Sequence, residues 1–284
     1  MWWLLGLLGL LFLGWGVASA RALLNPPRAF PPAATPLPAH ATASLTAPDG
    51  THFTAWIFRT PSPRARVLLC HGYYANRTQV LGLVEPLRAQ RWEVVLFELR
   101  GHGDRPGPCT LGFKEADDAD TLLAWAAARD APAPLPVGVL GWSMGAAVAI
   151  QVAMRRPEVK AVVADSPYAR LFPVLQQAIW RQHHLPGVPW AWLTWWTAQA
   201  FLRTRLSSWD PARLAGRAHQ PLLYLRGGED RRVPLRDGCE LYERWAGPKE
   251  QWVEPGVGHV SLFARTPEAY CHRVTDFFNR SLAQ

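Results

Sequence analysis

The chain has 284 residues, enough for one large α/β domain with a remainder for an anchor and a cap, and 49% of it is hydrophobic, enough for a substantial core. Its formal net charge of +8 is carried almost entirely by scattered arginines. No basic cluster is interleaved with aromatics, so nucleic-acid binding has little support. Four cysteines, Cys70, Cys109, Cys239 and Cys271, show no C-x-x-C spacing, which argues against a zinc site or redox motif. No metal or cofactor is expected, and a Cys239–Cys271 bridge stays open.

Residues 1–22 form the first segment. Trp2 to Ala20 carries no charge, and as a helix it would be about 28 Å long against a hydrocarbon core of about 30 Å. Trp2, Trp3 and Trp15 suit interfacial positions. Ala18-Ser19-Ala20 has the spacing of a signal-peptide cleavage site, but no Lys or Arg precedes Arg21. An uncleaved transmembrane anchor is therefore expected over a cleaved signal peptide. Arg21 and Arg28 favour a cytoplasmic catalytic domain, although the side of the membrane stays open. Residues 23–42 are proline-rich (Pro26, Pro27, Pro31, Pro32, Pro36, Pro38) and read as a semi-extended spacer holding the domain off the bilayer.

From residue 43 to 284 one domain is expected. Thr42–Ala47 and His52–Phe58 flank Asp49-Gly50, a hairpin signal. Strands then read at 67–70, 94–97, 137–140, 161–164, 222–225 and 251–253. Helices read at 79–90, 113–129, 146–155, 235–246 and 267–282. Apolar strands separated by helices imply a largely parallel sheet buried on both faces. The interval 168–211 breaks this alternation. It holds Trp180, Trp190, Trp192, Trp195, Trp196 and Trp209, and reads as a helical cap with Trp192, Trp195, Trp196, Leu202 and Leu206 on one face. That face is either an aromatic wall for acyl groups or plain packing of cap on core.

Gly141-Trp142-Ser143-Met144-Gly145 lies between the apolar run ending at Leu140 and a helix-forming run. This G-x-S-x-G order is that of a nucleophile elbow, in which a tight turn lifts the serine hydroxyl clear of the sheet. Flanking glycines remove Cβ atoms that would collide there. A serine hydroxyl needs a base, and the base needs an orienting acid. His259, in Gly256-Val257-Gly258-His259, follows the last strand and is the expected base; His272 reads as a surface helix residue. Asp230, after the strand 222–225, is the expected acid, with Asp165 and Glu229 as alternatives. The amides of Met144 and Tyr73 would hold an oxyanion. His71 reads as a structural loop residue. Tyr74, Trp142, Trp180, Trp192 and Trp196 are candidate pocket residues.

With these residues the chain resembles the α/β-hydrolase superfamily, nearest its Bem46-like or serine aminopeptidase-like branch. The likeness rests on His71-Gly72, Arg100-Gly101-His102-Gly103, Gly141 to Gly145, Asp165-Ser166-Pro167-Tyr168, Asp230 with Val233-Pro234, and Gly258-His259. It implies the chain order serine, acid, histidine, carried here by Ser143, Asp230 and His259. Two departures stand out: Asp104 and Arg105 follow the Arg-Gly-His-Gly segment where a serine is usual, and Glu98 stands where Asp is common. The implied activity is hydrolysis of carboxylic esters through an acyl-enzyme, with lipid-derived or thioester acyl groups as candidate substrates. Amide or peptide hydrolysis, acyl transfer and a catalytically silent scaffold are the alternatives. The substrate is expected to be a small-molecule or lipid-like acyl compound, with membrane association through the N-terminal segment. Oligomeric state is not legible.

Overall fold

In the computed structural model, residues 2–30, 37–130 and 133–282 are described; the spacer prolines Pro31, Pro32 and Pro36 and the Trp209 side chain lie outside the described residues. An eight-stranded sheet runs β1-β2-β4-β3-β5-β6-β7-β8. The hairpin of β1 (Ala41–Thr46) and β2 (His52–Phe58) pairs Leu45 with Phe53 and lies antiparallel at one edge. Asp49 closes its turn by accepting from the amide and hydroxyl of Thr51. The other six strands, β3 (Ala65–Cys70), β4 (Trp92–Phe97), β5 (Val137–Trp142), β6 (Val159–Asp165), β7 (Leu222–Gly227) and β8 (Lys249–Glu254), are mutually parallel.

Side chains alternate across each strand, so one run feeds two cores. Leu68 and Cys70 pack with α3 (Phe113–Ala127) and α4 (Met144–Arg155). Val67 and Leu69 pack with α2 (Val84–Arg88) and α10 (Pro267–Leu282) on the other face. A helix was expected over 79–90, but the chain instead forms a 3-10 turn, Arg77–Leu83, and only then α2. Asn76 starts that turn by accepting from the Thr78 amide at 2.8 Å.

The expected cap is two helices, α5 (Leu171–His183) and α6 (Gly187–Leu202), followed by a 3-10 turn at Leu206–Trp209 and by α7 (Pro211–Ala215). The single tryptophan-bearing face expected there does not exist. Arg203, at φ 50°, ends α6 and places Leu206 in a separate turn. The buried residues of α6 are Ala191, Thr194 and Ala198, small residues that admit close neighbours. Trp195 is half-buried, whereas Trp192 and Trp196 face outward. Two helices, α8 (Leu235–Arg244) and α9 (Leu262–Arg265), complete the domain.

The N-terminal helix, α1 (Trp2–Leu24), is long and apolar enough to cross a membrane by length and composition. Residues 2–11 are exposed, and from Phe12 onward the helix packs on the cap. The Phe12 and Trp15 rings meet Trp190, and Trp15 also meets His183. Ser19 shares a 2.6 Å hydrogen bond with Thr194. The helices cross closely at Gly16, where a Cβ would lie 2.5 Å from Leu193 Cγ and the leucine side chain would have to move. The Leu24 carbonyl accepts from the Cys109 amide at 2.7 Å, and the Ala29 carbonyl accepts from Asn76 at 3.1 Å. The proline-rich segment therefore does not hold the domain at a distance from α1; hydrogen bonds on both sides of residue 25 fasten the chain to the domain. The four cysteines are free thiols, and the Cys239–Cys271 bridge does not form.

Candidate active site

Ser143 sits at the turn from β5 into α4 with φ 54° and ψ −114°, a backbone conformation that a residue with a Cβ adopts only when the surroundings enforce it. The enforcement is visible on both sides. A Cβ on Gly145 would lie 2.3 Å from the Cys70 carbonyl oxygen, and one on Gly141 would lie 2.1 Å from that of Gly145. The Ser143 amide donates to the Asp165 carbonyl at 2.8 Å, tying the turn to the end of β6.

Three distant residues meet here. His259 Nε2 is 2.9 Å from Ser143 Oγ, and His259 Nδ1 is 2.7 Å from Asp230 Oδ2. Asp230 Oδ1 accepts from the amides of Arg232 and Val233. Burial raises the cost of the Asp230 charge, but the bond to His259 and these amides outweigh it and hold the carboxyl below its ordinary range. Asp165, the first alternative acid, is not at the imidazole. Its carboxylate accepts from Ser166 Oγ (2.8 Å) and the Tyr270 hydroxyl (3.0 Å), and burial pushes its pKa up to about 6. The Ser166 hydroxyl in turn accepts from the Val260 amide at 3.1 Å, beside His259. The Glu229 side chain and His272 are exposed.

The Tyr73 amide belongs to a loop pinned on both sides. Gly72 N donates to Gln79 Oε1 at 2.8 Å, and Tyr74 N donates to His102 Nε2 at 3.3 Å. His102 can accept because it is neutral: burial, with His71 adjacent, lowers its pKa to about 4. Its other nitrogen donates to the Arg100 carbonyl at 2.8 Å. Met144 opens α4, so its amide has no carbonyl four residues earlier within the helix. His71 is fully buried between the Gly72 carbonyl and the Glu98 carboxylate, a structural position. In place of the usual serine, Arg105 pairs with Asp118 at 2.7 Å.

Ser143 and His259 open into a cavity of about 840 Å³, within the range of about 300–1,000 Å³ usual for small-molecule sites. Tyr73, Tyr74 and Met144 line it. Four expected pocket residues do not. Trp142 follows Leu140 by two residues and so shares its face of the sheet; its indole donates to the Tyr270 hydroxyl at 2.7 Å, in the core on the α10 side. Trp192 and Trp196 are 49% and 60% exposed on the outside of the cap, and Trp180, 54% exposed, lines a separate hollow with Asp230, Arg231 and Leu235. The walls come instead from Leu171, Val174 and Ile179 of α5, Trp195 of α6, and Trp15 and Ala18 of α1. The α1 contribution was legible only as spacing: Trp15, Ala18, Ser19, Ala22 and Leu23 recur at helical intervals. Nothing local in the sequence ties that stripe to a serine more than a hundred residues away. Among the described residues no group of three or more His, Cys, Asp and Glu could hold a metal ion.

A mostly parallel sheet of this strand order, with a serine at the strand-to-helix turn and a cap over it, is the architecture of an α/β hydrolase. The chain belongs to the alpha/beta hydrolase family, whose family model matches residues 67–273. An uncharacterized protein of Mycobacterium tuberculosis is 31% identical over 232 residues, covering 81% of this chain and 75% of that one. A pimeloyl-[acyl-carrier protein] methyl ester esterase of Neisseria meningitidis is 38% identical over 112 residues, 39% of this chain and 40% of that protein. The solved structure of the Pyrococcus furiosus esterase Pf2001 superposes with a TM-score of 0.75 at 26% identity, covering 91% of this chain and all (100%) of that one. These relationships place the chain among the hydrolases.

Proposed function

We propose that the protein is a membrane-associated serine hydrolase of carboxylic esters. The observation that carries this reading is the His259 imidazole bridging Ser143 Oγ and Asp230 at hydrogen-bond distance on both sides. Ser143 Oγ attacks the acyl carbon while His259 takes its proton; His259 then protonates the leaving alkoxide. Asp230 keeps the imidazole Nδ1–H oriented. The amides of Met144 and Tyr73 receive the oxyanion. Water, deprotonated by the same imidazole, releases the acid and restores the serine. The apolar walls favour an acyl chain, each buried methylene contributing about 0.8 kcal/mol.

Aminopeptidase chemistry finds less support. A free substrate ammonium needs a counter-charge, yet among the described residues lining the cavity none is a carboxylate, and Arg181 and Arg232 are both cationic. Retention of α1 in the mature protein is part of this reading, because cleavage after Ala20 would remove Trp15, Ala18 and Ser19 from the cavity lining.

The test is labelling with a fluorophosphonate, together with a panel of p-nitrophenyl esters of graded length run beside aminoacyl anilides. Ester turnover, with Ser143→Ala lowering it on the order of 10⁶-fold, is the expected result. An unlabelled serine, or a Ser143→Ala variant of near-normal rate, would refute the mechanism.

A further inference from the structure

The cavity does not stop at the serine. It follows α1 from Leu23, whose carbonyl accepts from the Tyr73 hydroxyl at 2.7 Å, to Trp15, whose ring packs on His183 and Trp190. Those residues are eight apart, or about 12 Å along a helix. Between them Ala18, Ser19 and Ala22 face the cavity, all small side chains that leave its volume open. Beyond Trp15, toward the N-terminus, contacts with the cap end at Phe12. Residues 2–11 are then bare, with Trp2, Leu8, Leu10 and Leu11 among the most exposed apolar side chains of the chain. This projecting part is about 15 Å long, half of a hydrocarbon core of about 30 Å. Alone it reaches through one leaflet, not two. At the start of α6, the end of the cap that meets Phe12 and Trp15 through Trp190, Val188 and Trp192 are exposed, side chains suited to an interface where apolar bodies meet headgroups.

We propose that the last turns of α1 form one wall of the acyl-binding site while its first turns lie in the adjacent leaflet, so that the substrate is a long-chain acyl ester of a membrane lipid drawn from the bilayer along α1. This rests on the serine-hydrolase reading and adds to it the class of substrate and the direction of its approach. One helix does both jobs because its cavity-facing stripe of small residues ends where its membrane-facing turns begin. A soluble esterase needs no such helix, since a bare ten-residue apolar projection exposes surface that water disfavours.

The experiment uses the full chain in phosphatidylcholine vesicles and an alkyl fluorophosphonate with a hexadecyl chain ending in a diazirine. Ser143 Oγ displaces fluoride from phosphorus, fixing one end of the chain, and light then inserts the other end into its nearest neighbour. Expected are phosphonylated Ser143 and photo-adducts in the tryptic peptide ending at Arg21. Phosphonylated Ser143 with adducts in α5 or α6 and none in α1 would overturn the inference while leaving the hydrolase reading intact. Absence of phosphonylation would remove the hydrolase reading, and this inference with it. An Ala18→Trp variant provides a second readout, the ratio of long-chain to short-chain ester turnover. Each displaced methylene costs about fourfold, so loss of two lowers the ratio roughly fifteenfold; an unchanged ratio in a variant that a short-chain probe still labels counts against the α1 wall.

Discussion

The Tyr73 hydroxyl donates to the Leu23 carbonyl at 2.7 Å, joining the last turn of α1 to a loop that lines the cavity with Ser143. Leu23 is at a helix C-terminus, where carbonyls lack partners within the helix. Tyr73→Phe leaves that carbonyl without its donor and is expected to cost about 1 kcal/mol of stability. It should also loosen α1 on the domain. Protease cleavage between Leu24 and Ala41, followed on gels, is expected to be faster in the variant; an identical cleavage rate would show that this bond does not hold α1.

Loss of stability in mild acid should pass through His102. Its folded pKa, about 4, lies below the unfolded value of about 6.5, because burial disfavours the charged ring. The unfolded chain therefore binds a proton first as pH falls. The contribution of His102 is present in full above pH 6.5 and is lost as pH drops from about 6.5 to about 4, by up to about 3 kcal/mol. His102→Gln keeps an acceptor for the Tyr74 amide without the titration. Denaturant unfolding at pH 7.5, 6, 5 and 4 should show the wild type losing more stability across that window than the variant, and parallel curves would contradict the assignment.

Trp142 adjoins the serine in sequence yet points into the opposite core, where its indole donates to the Tyr270 hydroxyl and Tyr270 donates to Asp165. Trp142→Phe is expected to lower stability by about 1–2 kcal/mol through the lost bond and volume. The preference among ester chain lengths should not change. A shifted chain-length profile would return Trp142 to the pocket.

Gly145 allows no side chain. Even the Cβ of alanine would fall 2.3 Å from one backbone oxygen and 2.4 Å from another, at Cys70 and His71. Neither belongs to a flexible side chain, so β3 or the Ser143 turn must shift. Gly145→Ala is expected to cost about 3 kcal/mol, and to abolish labelling of Ser143 before the fold is lost. Thermal unfolding monitored beside fluorophosphonate labelling separates these two effects.

Much of the framework was legible because it is local. Strand residues such as Val67 to Cys70 and the helix Pro267–Leu282 follow from period and composition, and the glycines around Ser143 report a turn that only glycine permits. The order of serine, acid and histidine along the chain pointed to Ser143, Asp230 and His259, which the fold brings within hydrogen-bond reach of one another. Aromatic character does not tell which residues line the cavity: Trp15, Tyr73, Tyr74 and Trp195 do, and Trp142, Trp192 and Trp196 do not. Trp142 is directed by strand alternation and Trp192 and Trp196 by which face of α6 is buried, and neither is visible in residue type.

The sequence by itself determined the elements, the serine turn and an apolar N-terminal helix, since each depends on neighbours a few residues apart. Only the tertiary structure decided that the Asp165 carboxylate serves Ser166 and Tyr270 while Asp230 reaches His259: Asp165 is the last residue of β6, Asp230 lies in the loop after β7, and what packs around each fixes its partner. It also decided that α1 lies over the catalytic cavity. Gly16 against Leu193, Ser19 against Thr194 and Leu23 against Tyr73 are contacts between segments far apart in the chain, and packing, not periodicity, selects them.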